Sequence, residues 1–229
     1  MNFLNEAISV FNDAGIVNAV NVTLIMSAFS VAISSLFGIS LGILLEQCNF
    51  PYKRMIIRLN RTLLAFPPVV VGLVVYLLLM RNGPLGAFSL LFTIKGMILA
   101  QTIIITPIIT SMVYSFAVKA APAIRVFAAT MGATKQQTNI LIVKEMKYEI
   151  YFAIVTGFGR SISEVGSVML VGGNIEGRTR TMTTAISMLK SQGIYTEGVA
   201  LGIILLVFAF ILQWAAECFQ KRELEDENY

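Results

Sequence analysis

The sequence contains no histidine. That absence excludes His-containing catalytic triads, His-ligated zinc or iron and imidazole acid–base chemistry together. Charge is also scarce: charged residues make up 13% of the chain and hydrophobic residues 56%, where a soluble domain carries about 25% and roughly 45–50%. With 17 basic and 13 acidic side chains in 229 residues, the chain cannot build a polar skin around a soluble core, and the composition specifies a membrane protein. Cysteine occurs twice, at Cys48 and Cys218, too few and too far apart for a disulfide framework or a Cys-rich metal site. There is no Gly-x-x-x-x-Gly-Lys-Ser/Thr phosphate loop and no Gly-x-Gly-x-x-Gly after a strand, so the chain has no evident site for ATP or a dinucleotide. A serine nucleophile would find neither histidine nor an intramembrane lysine to take its proton, which removes the serine-hydrolase readings. Lysine and arginine are missing from the first 50 residues, so a cleavable secretory signal is not expected and the first span stays in the mature protein.

What the chain does have is long uncharged runs. Ala14 to Leu45 is 32 residues without a charge, and its more apolar part covers 23–45. Thr62 to Met80 adds 19 residues, with Pro67-Pro68 near its start. Further runs cover 96–118, which contains Pro107; 150–171, interrupted by Arg160 and Glu164; and 199–214, closed by Glu217 and Lys221-Arg222. About 20 apolar residues cross the hydrocarbon as a helix, so five transmembrane helices are expected in a single all-α polytopic domain over 1–229. Lys and Arg set the orientation. Segments 46–61, 119–149 and the tail hold 4, 5 and 2 of them, 11 of the 17, against five (Arg81, Lys95, Arg178, Arg180, Lys190) on the other side. The N-terminus is therefore placed outside and the C-terminus in the cytoplasm. Trp214, Tyr148 and Tyr151 then fall at the inner interface, and Cys48 and Cys218 face a reducing compartment as thiols. The pI near 9.1 reports topology and gives no reason to expect nucleic acid.

Between the third and fourth spans, the inner loop 119–149 is the most organised polar stretch. Pro122 suits the first turn of a short helix running through Ala123 to Met131, Gly132 suits its stop, and Thr134-Lys135-Gln136-Gln137 matches a capping box for a second helix. Such a loop is either a connector packed on the membrane face or a docking element whose apolar 123–131 face requires a partner. In the fourth span, Arg160 and Glu164 lie four residues apart on one helix face. They form either a structural ion pair or part of a translocation path. Gly157, Gly159, Ser161, Ser163, Gly166 and Ser167 surround them and permit a close helix–helix or subunit seam. Outside, Gly172 to Thr181 is rich in turn residues, and Thr181 to Lys190 suits a short helix. Arg178 and Arg180 there either line an electropositive vestibule or pair with Glu176 and Glu197 on a solvated surface.

Several blocks carry a family resemblance. Phe66-Pro67-Pro68-Val69-Val70-Val71-Gly72, Arg81-Asn82-Gly83-Pro84-Leu85-Gly86 and the stretch from Gly159 through Thr179, in that order, resemble permease subunits of bacterial ABC importers for molybdate, tungstate and sulfate. Gly172-Gly173-Asn174-Ile175 followed by Thr181-Met182-Thr183-Thr184-Ala185-Ile186 is most similar to the tungstate permeases. The resemblance covers most of residues 20–218 and implies a type I importer permease fold in the bacterial cytoplasmic membrane. It implies a homodimeric pore in the lipid bilayer, cytoplasmic ATPase subunits that bind ATP and Mg, and an extracellular or periplasmic oxyanion-binding protein. The chain itself would then be no enzyme and hold no cofactor.

The family's Glu-Ala-Ala-x-x-x-Gly coupling signature falls on Val126, Phe127, Ala128 and Gly132, with Ala133 following. Ala128 and Gly132 match directly, and Lys144-Glu145 stands where Leu-Pro often follows. Arg160, Glu164, Gly166, Asn174, Arg178 and Thr179 are the implied path or gate residues. The path should bind its dianion weakly, because a tight permanent site would retain it. Tungstate is the leading substrate, then molybdate, then sulfate. The rival classes are an ATP-independent channel or secondary carrier gated by Arg160 and Glu164, and a membrane scaffold without transport.

Overall fold

The computed structural model describes the backbone of residues 14–226 and the side chains of 15–214. Cys218, Lys221 and Arg222 therefore lie outside the described side chains. The described backbone is helical: α1 (Ala14–Gln47), α2 (Lys53–Ala65), α3 (Pro68–Leu79), a 3-10 turn (Gly86–Phe88), α4 (Ile94–Thr130), α5 (Lys135–Glu145), α6 (Lys147–Ile162), α7 (Gly166–Gly172), α8 (Met182–Ser191) and α9 (Tyr195–Asp226). Helices α1, α4 and α9 are long and apolar enough to cross a bilayer alone. The pairs α2–α3 and α6–α7 qualify only as broken spans, bent by 101° and 61°.

Three sequence expectations change in detail. The run 62–80 is not one straight helix, because it contains the Phe66-Pro67 break. Phe66 is extended (ψ 130°), as a residue preceding proline must be to avoid the ring, so α3 starts afresh at Pro68. The run 150–171 is likewise divided, with Ser163 to Val165 between α6 and α7. Pro122, in contrast, starts nothing: α4 passes through both Pro107 and Pro122 as one helix of 37 residues, about 55 Å long. Tertiary packing overrides the local signal there. Ala117 and Ala121 are fully buried in one cluster with Ile142 of α5, Ala153 of α6 and Met146 at the junction between those helices, and this holds the helix together across the proline. Around Pro107, the hydroxyls of Thr102, Thr106 and Thr110 each donate to the carbonyl four residues earlier, the kind of local supplement that lets membrane helices accept proline.

The centre of the fold is the α1–α4 contact. A Cβ on Gly38 would come within 2.9 Å of the Ile109 Cβ, and one on Gly42 within 2.9 Å of the Val113 Cβ. Two glycines four apart thus let α1 lie directly against α4, where dispersion contacts replace the hydrophobic drive that lipid does not supply. A second tight crossing joins α3 to α7: Cβ atoms on Gly72 and Gly166 would fall 2.6 Å from the Ser167 Cα and 2.4 Å from a Val69 methyl. At the cytoplasmic ends, Arg125 of α4 grips Glu46 of α1 with both guanidinium nitrogens, the first at 2.7 Å.

Candidate translocation and docking sites

The α6–α7 break gathers the intramembrane charges. Arg160 sits in the last turn of α6, and its Nη1 lies 2.7 Å from Glu164 Oε2. Glu164 is past the helix end, so the pair spans the break and does not ride on one continuous face. The other carboxylate oxygen, Oε1, accepts the Ser167 N–H at 3.2 Å and so caps the first turn of α7. The Thr183 hydroxyl of α8 donates to the Glu164 carbonyl at 2.9 Å. One acidic residue thereby connects α6, α7 and α8. Glu164 is 4% exposed and Arg160 34%, so the carboxylate is enclosed while the guanidinium keeps an open side. Gly166 lies against Val69 in the same region.

The remaining path candidates form a separate outer group. Thr179 is buried and its hydroxyl is spent: it donates to the Gly172 carbonyl at 2.6 Å and accepts the Ile175 N–H at 3.0 Å, closing the 172–179 turn. Asn174 occupies the left-handed region at φ 50° beside Gly173 at φ 72°, a geometry that Asn and Gly tolerate best. Arg180 pairs with Glu176 at 3.1 Å, but its own side chain is 17% exposed and largely enclosed, so the pairing expected from the sequence is present without a fully solvated surface around the arginine. Arg178 has no carboxylate partner among the described residues and lines, with Lys95, Ser89 and Phe92, an outer cavity of about 570 Å³. The structure therefore brings Arg160 and Glu164 into contact, with Gly166 in the α7 turn that Glu164 caps, and no hydrogen bond or ion pair among the described residues joins these to Asn174, Arg178 or Thr179.

On the cytoplasmic side the helix–stop–helix arrangement is present. Gly132 has φ 68° with nothing near its missing Cβ, so its role is conformational and not one of space. The Thr134 hydroxyl accepts the Gln137 N–H, and the Gln137 side chain accepts the Thr134 N–H at 2.8 Å. Val126, Phe127 and Met131 are 68%, 59% and 72% exposed, whereas Ala128 is 1% exposed. The end of α4 thus buries its alanine and presents a large apolar face outward. Ala133 lines a half-open cavity of about 540 Å³ with Arg125, Lys135 and Asn139.

Sequence reading did not find the Glu46–Arg125 pair or the hydroxyl stripe of α1. Thr23, Ser27, Ser30 and Ser34 are all buried, and Ser30 meets Ser161 at 3.2 Å. Their spacing of four, three and four residues was a readable helical-face signal. Gln101, fully buried with no partner for its amide among the described residues, had no such signal.

No family model matches the chain. It is 40% identical over 200 residues, 87% of this chain and 88% of the other, to a tungstate uptake system permease protein of Peptoclostridium acidaminophilum. It is 42% identical over 197 residues, 83% of this chain and 84% of the other, to a probable anion ABC transporter permease protein of Haloferax volcanii. The chain belongs to the ABC importer permeases, in the branch of the tungstate and anion permeases. A more distant relative is a sulfate transport system permease protein of Escherichia coli, at 26% identity over 95% of this chain and 79% of the other. The fold agrees: a MetNI methionine ABC transporter chain aligns with TM-score 0.76 at 17% identity over 91% of this chain and 95% of that one. A bacterial alginate ABC transporter chain does so with TM-score 0.76 at 19% identity, over 94% and 81%. As an importer permease with several apolar helices, this chain is a multi-pass protein of the cytoplasmic membrane, and the ATPase belongs to a partner subunit.

Proposed function

We propose that this chain is the membrane subunit of a tungstate importer, acting as a pair of copies with two cytoplasmic ATPase subunits and an extracellular or periplasmic oxyanion-binding protein. The observation that carries this reading is the 40% identity to a tungstate uptake permease over nearly the whole of both chains. ATP and Mg are bound by the partner, and this chain holds no cofactor. The docking surface for the ATPase is the exposed Val126, Phe127 and Met131 face of α4 together with the turn at Gly132 and Ala133. Movement imposed there passes along α4 to α1 through the Arg125–Glu46 grip, and to α6 through the shared core of Ala121, Ile142 and Met146. The α6–α7 break is the gate, since the Glu164 carboxylate caps α7 and faces Arg160, so a shift of α6 relative to α7 exposes or encloses the guanidinium. On the outer side, Arg178 beside Asn174 and the Thr179-closed turn supplies positive charge where the anion enters, with contacts weak enough to release it.

Reconstitution in vesicles with the candidate ATPase and binding protein tests the reading. ATP-dependent tungstate uptake, suppressed by omitting the ATPase and competed more weakly by molybdate and still more weakly by sulfate, is the expected result. Uptake that persists without the ATPase would make the chain a channel or carrier, and preferred competition by sulfate would reassign the substrate.

A further inference from the structure

The α2 helix is unlike the rest of the described chain. None of its residues is buried and it holds no acidic residue. Met55, Ile56, Leu59 and Leu63 are exposed, and the 101° bend to α3 turns it across the bundle on the side that the basic residues mark as cytoplasmic. Arg54, Arg58 and Arg61 fall on one arc of this helix, and no carboxylate among the described residues pairs with them. The nearest acid in sequence, Glu46, is fully engaged by Arg125. Exposed apolar residues beside arginines with no carboxylate partner fit a helix lying in the inner interface of a membrane.

Beneath it is a cleft of about 170 Å³ between α1, α2 and α4. Its polar lining is Asn60, Arg61, Ser111, Tyr114 and Ser115, and its apolar lining is Leu45, Ile57 and Leu64. Asn60 Nδ2 donates to Ser111 Oγ at 2.6 Å and to the Pro107 carbonyl at 3.2 Å, which fixes α2 on α4 and holds Ser111 in place. We propose that this cleft holds the phosphate group of an anionic phospholipid of the cytoplasmic leaflet, with Arg61 and the hydroxyls of Tyr114 and Ser115 on the phosphate and the acyl chains along Leu45 and Leu64. A guanidinium beside hydroxyl donors is a standard recognition set for a phosphate monoanion. A free hydrated oxyanion would gain nothing from the apolar half of the lining, whereas a lipid uses both halves. Arg58 and Arg54, one and two turns away along the helix, add the preference for an anionic over a zwitterionic headgroup.

Native mass spectrometry of the purified full chain, delipidated in detergent and incubated with phosphatidylglycerol or phosphatidylcholine, tests this. Wild type is expected to retain phosphatidylglycerol at collision energies that strip phosphatidylcholine. Arg61→Gln should lower retention at least fivefold, Arg61→Lys less, and Leu64→Asn should lower it without changing charge. Ser115→Glu, at another exposed position, should abolish retention by an independent route while leaving the thermal unfolding of the protein unchanged. Millimolar tungstate should not displace the lipid. Equal retention of the two lipids by wild type, or wild-type retention by both Arg61→Gln and Ser115→Glu, overturns the proposal. Displacement by tungstate would reassign the cleft to a free oxyanion.

Discussion

At the residue scale, Glu164 concentrates the polar contacts of the α6–α7 break. A carboxylate this enclosed requires compensation, and it receives one charged partner and one backbone N–H, while the Thr183 hydroxyl donates separately to the backbone carbonyl of the same residue. Removing one member of a fully buried pair costs roughly 3–5 kcal/mol, and the open side of Arg160 lowers this to about 1–3 kcal/mol, because water reaches the guanidinium. Arg160→Ala is therefore expected to lower the unfolding midpoint and transport together. Glu164→Gln keeps an oxygen to cap α7 and removes the buried charge, so the double variant Arg160→Ala with Glu164→Gln should recover most of the lost stability. Thermal unfolding of the three proteins measures this, and a double variant no more stable than Arg160→Ala would show that the charge is not what matters. The i, i+4 spacing was legible in the sequence. That Glu164 lies beyond a helix end was not, because the break depends on the α3 and α8 contacts that surround it.

At the element scale, glycine decides which helices can touch. Gly38 and Gly42 stand within a run that hydropathy reads as one featureless span, and only the partner helix shows their use. Gly38→Ala places a methyl 2.9 Å from Ile109 Cβ, an overpacking that costs about 1–3 kcal/mol, and each kcal/mol lowers the midpoint by roughly 2–4 °C in a chain of this size. Gly202→Ala, where nothing lies within 4 Å, is the control and should be neutral or slightly stabilising because alanine favours the helix. Equal effects of the two substitutions in a thermal shift assay would remove the close-approach account. The capping box at Thr134 was visible from four residues because its bonds are local, and the same locality made Pro122 misleading. A proline favours a helix start in isolation, but the buried face of Ala117, Ala121 and Ala128 favours continuation by more.

At the scale of the whole molecule, two exposed features demand something outside the chain: the α4 tip and the α2 helix. Val126, Phe127 and Met131 form an apolar face at the end of a helix that leaves the membrane, and lipid does not cover it if α4 projects as far as its length implies. Replacing all three by serine should leave the permease folded and inserted while the ATPase no longer co-purifies and ATP-driven uptake is lost. Co-purification at wild-type yield would exclude this face from docking. Membrane residence, all-helical class and the placement of basic residues were determined by the sequence itself, because the cost of charge in hydrocarbon and the length of an apolar helix act on each segment independently. Tertiary structure alone decided that α6 ends before Glu164, that α4 runs through its prolines, that Glu46 meets Arg125 and that Arg160 pairs with Glu164 while Arg178 lines a different cavity. Those outcomes depend on contacts between residues distant in the chain, whose balance of close packing and satisfied polar groups no local pattern carries.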